Sequence, residues 1–181
     1  AQAQAEGEQL LATAEAQPNL SAETRRQATF LRELAAVGRA DRRTAQGDVA
    51  GAWEELAPHL RGPAASPNIS TALMRTYARA RRYAEAKQVA DALLARDPLD
   101  ADIRASAVDL AVEMEEFGVA EALLAEGRRF DVSSPALLAA EARVARARRN
   151  PVRELRALEA ATRMRLEQLR VNGEAQQAAL A

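Results

Sequence analysis

Apolar residues recur along the chain at helical spacing and almost nowhere in strand-like alternation. Ile69, Leu73, Met74 and Tyr77 fall at i, i+4, i+5 and i+8, which puts them on one side of a helix opened by Pro67-Asn68. After Arg81-Arg82, which mark a turn, Tyr83, Ala86, Val89, Ala90, Leu93 and Leu94 form a second stripe. That stripe stops before Asp97-Pro98, because a proline pushes its predecessor out of the helical region. The arrangement returns with Ile103, Ala107, Leu110, Ala111 and Met114, then with Phe117, Ala120, Leu123 and Leu124. Gly127 either ends this last helix or permits close packing.

The recurrence has a fixed period. Ala52, Ala86 and Ala120 stand 34 residues apart, each three residues after Val49, Tyr83 or Phe117 and four before Leu56, Ala90 or Leu124. A methyl group at a helix crossing lets two axes approach closely, while the larger residue before it fills the adjoining gap. The predicted fold is therefore all-α, an α-solenoid of stacked helix–turn–helix units at 33–66, 67–100 and 101–134. A fourth unit, 135–170, reads as helices Ala136–Arg148 and Val152–Arg170 split by Asn150-Pro151. Its crossing position holds Glu154, so it is a degenerate repeat or a cap. Residues 1–32 contain a helix over Ala3–Ala16 and the start of a long helix over 22–46, with Ser21 as N-cap and Gly38 tolerated inside. Val171-Asn172-Gly173 is predicted to break the last helix and leave 171–181 as a frayed tail. Arg61 to Pro67, with one Gly, two Pro and a Ser, reads as a turn between units that acts as a joint.

Composition narrows the chemistry. Of the 181 residues 45 are Ala, about half of the hydrophobic 48%, and the only Ile are Ile69 and Ile103. A β-sandwich or barrel needs far more β-branched and aromatic residues. The net charge of -1 gives no general pull toward nucleic acid or anionic membrane. With no Cys and a single His, disulfides, thiolate catalysis and a two-His metal site within one chain are excluded. No apolar run approaches a membrane span, and residues 1–20 lack the basic start and apolar middle of a signal peptide.

Four features merit a chemical reading. Trp53 follows a crossing Ala and is assigned to packing between units. His59, after Pro58 near a helix end and with no acid–base partner nearby, suits a surface or C-terminal capping role. Glu113, Glu115 and Glu116 form an acidic cluster but lack the Asp/Asn-Gly loop of an oxygen-ligated cation site, so a solvated turn is expected. Arg146, Arg148, Arg149, Arg153 and Arg156 make a basic stretch without the aromatic platforms of a nucleic-acid surface. No GxSxG, phosphate-binding loop or HExxH occurs. The chain is read as non-enzymatic, with no cofactor and no metal.

The 34-residue unit resembles the tetratricopeptide repeat. Tyr77 matches that family's first-helix aromatic, Tyr83 and Phe117 the aromatic that opens the second helix, Ala52, Ala86 and Ala120 its small crossing residue, and Pro98 its terminal proline. Met74 and Val108 depart from the small residue usual there, and no unit has an early Trp. The runs Gly47–Pro58, Ala86–Leu94 with Arg96-Asp97-Pro98, Ala120–Leu124 and Ala157–Ala161 are also similar to the Ala/Arg-rich repeat region of the periplasmic export component of bacterial cellulose synthase. That resemblance implies a periplasmic scaffold in polysaccharide export, with protein partners from a secretion or synthase complex. It implies no sugar-binding residue, and a neutral polysaccharide would bind weakly. A cytoplasmic peptide-binding adaptor or chaperone is the other reading. Neither involves nucleic acid or membrane insertion by these residues.

In helical repeats the first helices line the inner surface that receives partners. The outward-turned residues there are predicted to be Asp41 and Thr44, Arg75 and Arg79, Asp109 and Glu113, and Arg143 and Arg146. Their sign alternates from unit to unit, which fits either a charge-patterned partner or pairing between neighbours.

Overall fold

The computed structural model describes residues 21–60 and 65–179, of which 85% are helical; no strand occurs among them. The helix expected over Ala3–Ala16, and residues 61–64 of the expected joint, lie outside the described residues. Among the described residues eight α-helices follow one another: α1 Ala22–Ala45, α2 Val49–Leu56, α3 Pro67–Arg79, α4 Tyr83–Arg96, α5 Ala101–Glu113, α6 Phe117–Phe130, α7 Pro135–Ala147 and α8 Pro151–Ala179. A 3₁₀ turn, Ala57–Leu60, prolongs α2 and contains His59.

Local chemistry sets these boundaries, and it recurs every 34 residues. Helices α3, α5 and α7 begin after Ser66, Asp100 and Ser134, whose side chains accept hydrogen bonds from the backbone N–H of Ile69, Ile103 and Leu137. Pro67 and Pro135 occupy the first helical position, where a missing N–H costs nothing. Helices α1, α3, α5 and α7 end at 45, 79, 113 and 147, and α2, α4, α6 and α8 begin at 49, 83, 117 and 151. Between them the chain reverses through a left-handed residue each time: Gly47 at φ 81°, Arg81 at 57°, Glu115 at 60° and Arg149 at 56°. Ser21 caps α1 through Thr24 N–H at 3.1 Å, and Gly38 lies inside that helix.

The chain divides into two compact units, one ending at Ala80 and the other beginning at Arg81. In the first, α1 packs on α2 and on α3, and α2 packs on α3. Ala36, Ala40, Ala52, Leu56, Ile69 and Ala72 are wholly buried there. In the second, α5 packs on α4, α6 and α7, and α7 packs on α6 and α8. Its core unites Val108 and Ala111 of α5, Ala120 and Leu124 of α6, and Leu137, Ala140 and Val144 of α7. The crossing alanines Ala52, Ala86 and Ala120 are each 0% exposed, as their size predicts.

One open alternative is resolved and one expectation changes. Helix α6 runs past Gly127 to Phe130, so this glycine serves packing and does not terminate the helix. The last helix does not break at Val171-Asn172-Gly173 but continues to Ala179. Without a proline, Asn and Gly lower helix propensity by about 1 kcal/mol or less each and cannot stop a helix on their own.

Candidate interaction surface

The eight residues assigned to the inner surface sort into three groups. In the first unit Arg75 of α3 donates from Nε and Nη2 to Asp41 of α1, with contacts of 3.1, 2.9 and 2.8 Å. In the second unit Arg143 of α7 donates from Nε to Asp109 of α5 at 2.5 Å. These residues are 34 apart in both cases, so neighbouring first helices present opposite charges at one register position and join them. All four side chains stay between 42% and 44% exposed. The charges face water as paired groups.

Arg79 and Glu113, the last residues of α3 and α5, are exposed. Arg146 is 69% exposed and holds Glu154 at 2.7 Å. Thr44 is the exception. It is 8% exposed and its hydroxyl bonds that of Thr76 at 3.2 Å, a buried bridge between α1 and α3. The reason is its phase: 34 and 68 residues on stand Ala78, which is buried, and Val112, which is half-buried, so Thr44 occupies a packing position.

Three residues of the basic stretch, Arg146, Arg148 and Arg153, are held by carboxylates. Arg153 donates to both oxygens of Glu121, at 2.5 and 2.8 Å, and to Glu141 at 2.9 Å. Arg128 also holds Glu141, and Arg148 reaches Glu121 at 3.5 Å. The hydrogen bonds from Arg153 hold the Glu121 carboxyl below its ordinary range, and Glu121 in turn raises the Arg153 guanidinium. In the first unit Arg39 holds Glu55 at 2.6 Å and lowers it in the same way, with Arg43 assisting at 3.2 Å. The backbone N–H of Gly51, bonded to Asp48 at 2.9 Å, is the main cause of a depressed Asp48 carboxyl, with Arg43 second. These networks fasten one helix to the next. Sequence reasoning did not identify them, because partners 12 and 32 residues apart match no helical period.

Trp53 is 40% exposed, with its ring centroid 6.0 Å from Tyr77 at 34°, so it packs across α2 and α3 with one face to water. Glu115 and Glu116 form the turn before α6. Among the described residues, no group of three or more His, Cys, Asp or Glu is placed to hold a metal ion, and no helix is long and apolar enough to cross a membrane. Compared with family models, curated proteins and solved structures, the chain gives no match.

Proposed function

We propose that the chain is a non-catalytic repeat scaffold of the tetratricopeptide kind, a segment of a periplasmic polysaccharide-export component that organises protein partners of the secretion complex. The observation that supports this reading most is the shared 34-residue phase of caps, left-handed turns and fully buried crossing alanines. A chain whose polar clusters are spent on joining helices, and whose repeating side chains face water in opposite-charge pairs, suits holding macromolecules better than turning over a small substrate.

The test is genetic and biochemical together. In the source cell, in-frame removal of the coding region for 33–168 is expected to abolish released polysaccharide, while isolated membranes still polymerise the sugar. Fractionation is expected to place the intact protein in the periplasm or outer envelope. Unchanged release, or a cytoplasmic location, overturns the reading and favours the adaptor alternative.

A further inference from the structure

Among the described residues, helix α8 leaves a leucine face without a partner. Leu155, Leu158, Leu166 and Leu169 are 59%, 39%, 62% and 62% exposed, and with Thr162 they follow steps of 3, 4, 4 and 3 residues. At 100° per residue they line the side opposite Ala157, Ala160 and Met164, which are among the buried and half-buried residues of the same helix. Earlier helices indicate what such a face receives. Leu158 occupies the register of Leu56, Ala90 and Leu124, which are 0%, 4% and 1% exposed. Leu124 is closed over by Leu137 and Ala140 of the next first helix, and Leu56 and Ala90 lie on helices that pack likewise, α2 on α3 and α4 on α5.

Charge identifies the occupant. Arg156, Arg163 and Arg170 recur at seven-residue steps along one flank of the leucines, with Arg165 on the other. Arg156, Arg163 and Arg165 have no ion pair among the described residues, and Glu159 is the one unpaired carboxylate beside them, whereas Arg170 is held by Glu167. We propose that this face docks an amphipathic helix of a protein partner whose apolar seam is flanked by carboxylates. The seam is about one leucine wide, as in helix-on-helix packing, and has no aromatic residue, so it suits a helix better than a lipid surface. A second copy pairing α8 with α8 is a poor occupant, because in a two-fold antiparallel pair the arginine row meets itself. The inference is independent of the export reading and holds for a repeat protein in any compartment.

The probe is a fluorescent 21-residue capped peptide with leucines at a and d and Glu at e and g, beside a twin with Lys replacing Glu. Anisotropy with the full chain is expected to give at least about tenfold tighter binding of the Glu peptide, weakening with salt. Leu166→Ser with Leu169→Ser is expected to lower that affinity at least about tenfold, with helix content and melting temperature kept. Arg156→Glu with Arg163→Glu is expected to reverse the preference toward the Lys twin, and this pair decides the matter if the leucine variant does not fold. Equal binding of both peptides, or leucine and arginine variants that bind as the wild type does, overturns the proposal. So does tighter binding to phosphatidylglycerol vesicles than to the Glu peptide, or a dimer in sedimentation that the leucine variant abolishes.

Discussion

Arg104 lies directly beneath Gly127. A Cβ at that glycine would sit 2.7 Å from Arg104 Cδ and 2.8 Å from Leu137 Cδ1. Arg104 cannot swing aside, because it is 3% exposed and donates to Glu126 at 2.8 Å and to the Pro98 carbonyl at 2.6 Å. Gly127→Ala is thus expected to destabilise the protein by about 1–2 kcal/mol in chemical denaturation, overpacking outweighing the roughly 1 kcal/mol gained in helix propensity. A variant as stable as the wild type, or more so, would contradict the packing role.

The crossing positions offer a paired comparison. Ala120→Leu is expected to cost about 1–3 kcal/mol, because its site is closed on every side. Glu154→Leu, 34 residues further on, loses chiefly the pair with Arg146 and is expected to cost less than about 1 kcal/mol. Melting curves of the two variants read the contrast directly.

Three of the four turns hold a side chain in left-handed backbone. Arg81→Gly, Glu115→Gly and Arg149→Gly are each expected to leave stability unchanged or raise it by up to about 1 kcal/mol, since the left-handed region costs a side chain about 1–2 kcal/mol and Gly returns part of that gain as chain entropy. Gly47→Ala is expected to go the other way. Equal shifts in all four would remove conformational strain as the explanation.

Acid should loosen both units. Glu121 and Glu55 sit below their ordinary value of 4.5 because arginines hydrogen-bond their ionised forms. A carboxyl depressed on folding stabilises fully above its unfolded pKa, and that contribution is lost as pH falls through the folded value. The melting temperature is expected to fall as pH drops below about 4.5, with a shallower fall in Glu121→Gln. An identical acid limb in that variant would locate the loss elsewhere.

The pair between Asp41 and Arg75 is reversible in principle. Arg75→Asp alone places like charges together, and the swap Asp41→Arg with Arg75→Asp restores attraction. A double-mutant cycle is expected to give about 0.2–1 kcal/mol of coupling, small because both groups remain near half exposed. Any partner competing for Arg75 must first displace Asp41, so Asp41→Ala is expected to strengthen binding of an anionic probe at Arg75.

Much of the helical architecture was legible because its signals are local. Prolines, turn residues and apolar steps of three and four placed both ends of α4 and the starts of α3 and α6 within about one residue. Errors arose where a weak local signal met a non-local fact. Asn172-Gly173 resembles a stop, yet helix propagation there lacks only a fraction of its usual stability. Thr44 was grouped with charged neighbours by polarity, although its register partners Ala78 and Val112 already marked a packing position. The carboxylates that hold Arg153 lie 12 and 32 residues away, a separation no helical periodicity reports.

The identical spacing of caps, turns and crossing residues has a consequence for how such a chain changes length. Cutting after Asp100 and rejoining at Pro135 leaves a side-chain cap in front of a helix start, just as the original junction has at Ser134. The same holds at the turns, where Arg81 and Glu115 share one backbone conformation and either can lead into the helix that follows the other. A loss or gain of 34 residues therefore preserves every local junction, whereas a loss of 33 turns each downstream apolar face by about 100°. Length in this architecture comes in whole steps, and recombination between units is a smaller perturbation than the deletion of a single residue.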